Sequence, residues 1–271
     1  MRRLLLAVLA LSIGALPLRA HDLFLTMRTF FVPAETPVVI HALNGTFTSS
    51  EAVVARGRLR DVSVVSPAGR THPDTTAWQD QGDTSVLTVR TGPAGTYVVG
   101  MATAPRVLAL DAASFNAYLA SEGVPEVLAA RRRDGELTQP ARERYAKNAK
   151  VLLQVGDQRT DGATGALGYA AELVPLRNPY ALRAGANTVL AVRALVDGTP
   201  QAHLIVQVGG RGARGVRVAP RSLRTDSAGV AQIPLRYPGR WYIKFIHMRR
   251  LTNDPDADYA SHWATLTFEV R

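Results

Sequence analysis

Short runs of alternating apolar and polar residues recur along most of the chain, and runs of this kind predict β-strands. In the first part of the chain they occupy residues 23–32, 37–43, 59–66, 85–91, 96–103, 150–155 and 172–176. In the second part they occupy residues 187–195, 203–208, 230–235, 240–247 and 261–270. Turns rich in Gly and Pro separate these runs. Short strands at such spacing predict a mainly β protein built from β-sandwiches.

One segment departs from the strand pattern. Asp111 is a candidate N-cap for a helix that ends near Gly123, and a second helix is predicted over residues 124–133. A third helix is predicted over residues 138–147, because Thr138 can cap its start and Pro140 lies in its first turn, where proline is tolerated. We therefore expect a helical insertion over about residues 111–149 of the first sandwich.

Turn residues between 177 and 185 indicate a linker between two domains. Residues 21–176 are predicted to form an amino-terminal, immunoglobulin-like β-sandwich that carries the helical insertion. Residues 177–271 are predicted to form a smaller, transthyretin-like β-sandwich. The glycine-rich stretch 209–215 lacks the Lys-Ser/Thr ending of a phosphate loop, so we interpret it as a hairpin tip.

The first twenty residues have the pattern of a secretory signal peptide, with a basic start, an apolar run over 4–18 and Ala20 at the cleavage point. Cleavage after Ala20 predicts a periplasmic protein whose first residue is His21. Such a histidine offers its α-amine and an imidazole nitrogen to one metal ion, such as Ni(II) or Cu(II). An uncleaved anchor, or a His21 that merely begins the first strand, is the alternative.

Composition restricts the chemistry further. The 271 residues include no cysteine, so a metal would be held by nitrogen and oxygen donors. Of the 32 basic residues only three are lysines, and the arginine groups are not interleaved with aromatic residues. A base-stacking groove needs such aromatics, so we predict no nucleic-acid partner despite the formal charge of +10.

Two histidines occupy matching positions on the last two predicted strands. If these strands form a hairpin, the register that sets Phe245 opposite Ala264 also sets His247 opposite His262. Directly opposed side chains have Cβ atoms about 5 Å apart, so the two imidazoles could share one ion. The alternative is a pair of polar residues at the rim of a sandwich.

The predicted connection between these strands is a 14-residue loop over residues 248–261, and loops of that length often carry function. Its aspartates alternate as in a calcium loop, but the usual Gly and closing Glu are missing. We instead predict carboxylates that supplement histidine ligands. The predicted metal ligands are His21, His247, His262, Asp258 and Asp256.

Several segments resemble one exported domain-of-unknown-function family, which is labelled as the periplasmic component of nickel or cobalt uptake transport (nickel uptake transporter family). They are AHDLFL, FNAYLASEG, RERYAKNAKVLLQVGD, ELVPLRNPYALRAG and GRWYIKFIHM, followed by WATLTFEV. The resemblance places the family's start on His21, its His-Met step on His247 and its acidic step on residues 256–259. His262 departs from it, since the family usually has an aromatic residue there. The resemblance implies two β-sandwich domains, export and a bound divalent metal.

The leading hypothesis is a periplasmic divalent-metal-binding protein that is accessory to nickel or cobalt uptake, with a membrane metal transporter as partner. Cu and Zn suit the same donors. We expect no enzyme, because the sequence lacks a nucleophile elbow and a paired-carboxylate motif. Two alternatives stay open: a copper protein with an amino-terminal histidine brace, and a metal-free module that binds glycans or proteins.

Overall fold

The computed structural model describes residues 21–271, so the predicted signal peptide and its cleavage site lie outside the described residues. The described chain is mainly β. Its strands are β1 (Asp22–Thr26), β2 (Phe31–Val32), β3 (Pro37–Thr46), β4 (Ser49–Ala52), β5 (Leu59–Ser66), β6 (Gly69–Thr71), β7 (Trp78–Gln81), β8 (Thr84–Arg90), β9 (Gly95–Thr103), β10 (Arg106–Leu110), β11 (Ala141–Val155), β12 (Ala171–Pro175), β13 (Val189–Val196), β14 (Thr199–Pro200), β15 (Ile205–Gly212), β16 (Arg217–Arg224), β17 (Val230–Pro234), β18 (Gly239–Arg250) and β19 (Tyr259–Val270). Its α-helices are α1 (Ala112–Ser121) and α2 (Pro125–Arg133), and short 3₁₀ turns lie at Arg56–Arg58, Thr75–Ala77, Asp161–Thr164 and Pro179–Ala181.

The strands form three sheets. The long sheet has ten strands in the order β16-β15-β18-β19-β11-β9-β5-β6, with β10 and β2 also paired to β11. The five-stranded sheet has the order β1-β3-β8-β7, with β4 beside β3. The four-stranded sheet contains β12, β13, β14 and β17. The chain therefore forms strands in the predicted regions, and most of these strands belong to one large sheet of ten strands.

The long sheet crosses the predicted domain boundary at residue 176. Strand β11 from the first part of the chain lies parallel to β19 from the second, from the pair Glu143–Tyr259 to the pair Val151–Thr267. Strand β12 likewise pairs with β13 on the other side of the boundary. The boundary in sequence thus does not separate the sheets.

The two faces of the long sheet contact different partners. On one face, Thr265 donates a hydrogen bond to the carbonyl oxygen of Leu23 at 2.6 Å, which holds β1 against the sheet. On the other face, Lys150 contacts Glu172 of β12 with 2.9 Å between Nζ and Oε2. Lys150 is paired with Leu266, so the row that contains Leu266 faces the four-stranded sheet.

Helices α1 and α2 cover the β1 face of the long sheet. Asp111 caps α1 as predicted, since its carboxylate accepts a hydrogen bond from the Ser114 backbone N–H at 2.8 Å. Tyr118 of α1 stacks on Trp263 of β19 with ring centroids 5.8 Å apart. Within residues 21–271 no helix combines the length and apolarity that crossing a membrane requires.

The predicted third helix is wrong, because residues 141–155 form the long strand β11. Residues 141–149 are rich in Ala, Arg, Glu and Lys, which favour helices locally. Strand β11 nevertheless pairs with β19 on one edge and with β9 and β10 on the other. These backbone pairings override a modest local preference, so the helical segment ends at Arg133.

Candidate functional site

Strand β1 brings His21 to the face of the long sheet that α1 covers. The next residue, Asp22, lies 2.5 Å from the Nζ of buried Lys244, which also contacts Glu122 at 2.7 Å. Burial alone would lower the pKa of Lys244, but the two carboxylates outweigh it and raise that pKa. This ion-pair group fixes β1 between β18 and α1, and the carboxylate of Asp22 is engaged by Lys244.

His21 makes a specific contact with strand β4. Its Nε2 lies 2.8 Å from Oε2 of Glu51, and the His21 side chain is 27 % exposed. At this distance the Glu51 carboxylate can accept a hydrogen bond from Nε2 in the tautomer that carries its hydrogen on that nitrogen. Nδ1, the ring nitrogen nearer the backbone, then carries the lone pair.

A cavity of about 330 Å³ lies beside His21, between β1, β4, β10, β11 and β19. Its wall combines a histidine, three cations, a carboxylate and an indole: His21, Arg58, Arg106, Lys147, Glu143 and Trp263. A cavity of this size and mixed chemistry is typical of a small-molecule site.

Glu143 is the buried carboxylate of this wall, with 1 % of its surface exposed. Its Oε1 accepts hydrogen bonds from the Tyr118 hydroxyl at 3.0 Å and from the Ser261 hydroxyl. Its Oε2 has no hydrogen-bond partner among residues 21–271. Burial raises the pKa of Glu143, and the hydrogen bonds from Ser261 and Tyr118 oppose that rise.

Lys147 is the buried cation opposite. Its Nζ donates to the side-chain oxygen of Asn44 at 2.9 Å and lies 5.5 Å from the ring centroid of Tyr145 and 5.7 Å from that of Trp263. Burial lowers its pKa to about 8. An ammonium has three donors, and the single acceptor found among residues 21–271 leaves most of this capacity for another group.

The predicted histidine pair forms in the expected register. His247 is opposite His262, and Phe245 is opposite Ala264, as the sequence indicates. Both histidines belong to the row of Leu266, which faces the four-stranded sheet. Burial lowers the pKa of His247, and so does the neighbouring His262.

The acidic loop is shorter than predicted, because β18 extends to Arg250 and β19 begins at Tyr259. Arginines of β11 occupy its carboxylates. Asp258 Oδ1 lies 3.0 Å from Arg142 Nη2, and this ion pair lowers the pKa of Asp258. Asp254 is bound by Arg144 at 2.5 Å.

Asp256 is the most exposed aspartate of this loop, and it lies 3.7 Å from Arg144. Arginine side chains thus compete with any cation for the three aspartates. Cation ligands in loops of this type need carboxylates that are free to turn toward the ion.

The five predicted ligands do not lie together among residues 21–271. His21 lies on the β1 face of the long sheet, whereas His247 and His262 lie on the opposite face. Asp256 and Asp258 are engaged by arginines at the end of β11. In the part of the chain that the structure describes, no three His, Asp or Glu side chains are grouped to hold a metal ion.

Comparisons with known proteins identify the family. The chain matches the profile of the domain of unknown function DUF4198 over residues 18–249. It belongs to this family. No curated protein is similar enough to the chain to count as a relative.

Solved structures that are similar to the chain include a bacterial α-2-macroglobulin and two adhesion proteins. Trypsin-activated α-2-macroglobulin from Escherichia coli has 10 % identity and a TM-score of 0.24, and the match covers 95 % of this chain and 16 % of that one. The tetra-tandem repeat of a large adhesion protein has 11 % identity and a TM-score of 0.22, and the match covers 92 % of this chain and 49 % of that one. The Escherichia coli adhesin FdeC has 12 % identity and a TM-score of 0.21, and the match covers 91 % of this chain and 64 % of that one. The chain spans less than two thirds of each of these structures, and TM-scores this low support no functional argument.

Sequence reasoning missed three residues of this DUF4198 site: Glu51, Glu143 and Lys147. Glu143 and Lys147 were predicted to lie in a helix, in which positions four apart share a face. In a strand, alternate residues share a face, so Glu143, Tyr145 and Lys147 form one row. Reading the segment with a period of two would have found that row. Glu51 had no signal, because it meets His21 only through the pairing of β1 and β4 with β3.

Proposed function

We propose that this protein binds a divalent transition metal in the periplasm through the amino-terminal residue of its mature form, His21. The contact between His21 Nε2 and Glu51 Oε2 at 2.8 Å supports this. After cleavage following Ala20, the α-amine and Nδ1 of His21 can chelate one ion while the Glu51 carboxylate accepts a hydrogen bond from Nε2. A carboxylate that holds the distal nitrogen of a ligating imidazole is common in metal sites, where it fixes the tautomer and increases basicity.

The donor set favours borderline metals. An amine and an imidazole nitrogen suit Ni(II), Co(II), Cu(II) and Zn(II), and the absence of cysteine leaves no thiolate to select a softer ion. The sequence resemblance to nickel and cobalt uptake components favours Ni(II) or Co(II) as cargo. On this proposal the protein delivers the ion to a membrane metal transporter and catalyses no reaction.

The architecture that we propose for this function is a pair of immunoglobulin- or transthyretin-like sandwiches that share the long sheet. The packing of the five-stranded and four-stranded sheets on opposite faces supports it. The metal would then belong to the first sandwich alone, since His21 and Glu51 both lie in the five-stranded layer or at its edge.

The test compares two proteins that differ only at the amino terminus. One begins at His21, and the other carries a single additional Ala before it. The additional residue turns the α-amine of His21 into an amide but retains every other side chain. We expect Ni(II) titration by calorimetry to show at least tenfold weaker binding to the extended protein. Equal affinities would contradict the proposal, and no binding by either would favour a metal-free binding module.

The same pair of proteins tests the copper alternative. A histidine brace needs a second histidine beside the first, and His247 and His262 lie on the opposite face of the long sheet. We therefore expect the electron paramagnetic resonance spectrum of the Cu(II) form to show nitrogen ligands from one histidine and one amine. A third coordinated nitrogen would support the copper alternative with a histidine brace.

A further inference from the structure

The cavity beside His21 carries an inference of its own, which does not depend on metal binding. Its wall contains the cations Arg58, Arg106 and Lys147 but one carboxylate, Glu143. The wall therefore has an excess of positive charge, which an anionic ligand would compensate. Lys147 is 6 % exposed, so its charge is largely removed from solvent and its electrostatic interactions are strengthened.

Two buried polar atoms of the wall have no hydrogen-bond partner within residues 21–271. One is the acceptor Oε2 of Glu143 and the other is the donor Nε of Arg58. Buried polar groups are rarely left unpaired, because each unsatisfied group costs roughly 1–3 kcal/mol. An acceptor and a donor in one wall match a ligand that carries both a hydrogen-bond donor and an anionic group.

The protein holds these groups in fixed positions. Tyr118 and Ser261 bind Oε1 of Glu143, so the carboxylate cannot turn without losing both bonds. The Arg58 guanidinium donates to the Ala104 carbonyl oxygen at 3.0 Å and lies 5.0 Å from the Tyr145 ring centroid. A preorganised wall of this kind loses little entropy on binding.

We infer that this cavity binds a small hydroxy- or amino-carboxylate. The ligand carboxylate lies against Lys147 and Arg58, and its hydroxyl or ammonium group donates to Glu143 Oε2. The indole of Trp263, which contacts Lys147 and lines the cavity, packs against the carbon skeleton. Arg106 is exposed at the cavity and attracts the anion from solution.

The experiment uses malate and succinate, which differ by one hydroxyl, with the mature protein freed of metal on a chelating resin. We expect calorimetry to show malate binding at least fivefold tighter than succinate, because succinate leaves Glu143 Oε2 unpaired. Failure of the wild-type protein to bind malate would overturn the inference. Equal affinities for the two acids would overturn the role of Glu143.

Three variants separate the contributions. Lys147→Met is expected to abolish binding of both acids, and Arg106→Gln to weaken both by a similar factor. In Glu143→Gln the amide oxygen takes the place of Oε1 and the NH₂ group takes the place of Oε2. The variant then has no acceptor for the hydroxyl of malate, so its affinity for malate should fall to its affinity for succinate. Arg90→Gln, which removes an exposed cation that does not line the cavity, is the matched control and should change neither affinity.

Folding and metal binding are controlled separately. Near-ultraviolet circular dichroism checks each variant, and Arg106→Gln keeps the inference testable if a buried variant does not fold. The protein extended by one Ala before His21 is expected to bind malate like wild type even where it loses Ni(II). Retained malate binding without any metal binding would overturn the proposed function alone.

Discussion

His247 stands directly opposite His262 in the β18–β19 hairpin, but the long sheet separates both from His21. A metal site at His21 therefore should not depend on them. We expect His247→Ala and His262→Gln to leave Ni(II) affinity of the mature protein within twofold of wild type. Calorimetric titration of the two variants measures this, and a tenfold loss in either would restore the histidine pair to the metal site.

Glu51 should affect the metal without touching it. Replacing it by Gln removes the carboxylate beside Nε2 of His21, so the imidazole is less well oriented toward the metal. We expect Glu51→Gln to weaken Ni(II) binding by about tenfold. Glu35→Gln changes a carboxylate that is not in contact with His21 and serves as the control. An unchanged affinity in Glu51→Gln would contradict this role.

Lys147 gives the protein a defined pH dependence. Burial lowers its pKa to about 8 from the ordinary value of 10.5, so the unfolded chain binds more protons than the folded one between these values. The free energy of unfolding therefore rises with pH from about 8 to 10.5. Urea unfolding of wild type and Lys147→Met at several pH values should show a steeper rise in wild type, because Lys150, whose pKa is also lowered by burial, remains in both proteins.

The same titration affects the cavity. Above pH 8 the Lys147 ammonium loses its proton and its attraction for a carboxylate. We expect malate affinity to fall progressively between pH 7 and 9, and a calorimetric series over this range measures it. A constant affinity would show that Lys147 does not bind the anion.

The buried ion pair of Lys150 and Glu172 joins the long sheet to the four-stranded sheet. Both side chains are nearly inaccessible, at 3 % and 2 %. Glu172 also accepts the backbone N–H groups of Leu167 at 2.8 Å and Tyr169 at 2.6 Å. We expect Lys150→Met to lower the free energy of unfolding by about 3–5 kcal/mol, because it leaves a buried carboxylate without its cation.

The double variant Lys150→Met with Glu172→Gln should recover part of that loss, since it removes the uncompensated buried charge, although the single amide oxygen can keep only one of the two N–H bonds. Chemical denaturation of both variants measures the difference. A double variant less stable than Lys150→Met would contradict the electrostatic explanation.

Gly210 belongs to the stretch that the sequence presents as a flexible hairpin tip, but the structure places it inside β15. A Cβ at this position would lie 2.2 Å from the carbonyl oxygen of Arg240 in the adjacent strand. Backbone atoms cannot move aside as a flexible side chain can, so we expect Gly210→Ala to reduce stability by about 1–3 kcal/mol. At Gly212 the nearest atom would be 3.6 Å away, so Gly212→Ala should be close to neutral, and thermal unfolding of the two variants measures the difference.

Local patterns predicted much of this protein. Alternation along β18 and β19 fixed their faces and, through the matching apolar rows, the pairing of His247 with His262. Asp111 and the Asp-Gly step after residue 133 set the limits of the two helices, because caps and stops act within one turn of the chain. The absence of cysteine restricted the metal donors before any contact was known.

Tertiary structure decided the rest. Residues 141–155 form a strand because four neighbouring strands pair with them, and local residue preferences contain no information about such distant partners. Burial against these partners leaves Glu143 Oε2 unpaired and depresses the pKa of Lys147 in one cavity. Glu51 meets His21 because β1 and β4 both pair with β3, and the layer that each histidine of the long sheet faces depends on how the sheets stack. The sequence by itself determined the elements and their local caps, whereas strand pairing and sheet stacking determined which side chains share a site.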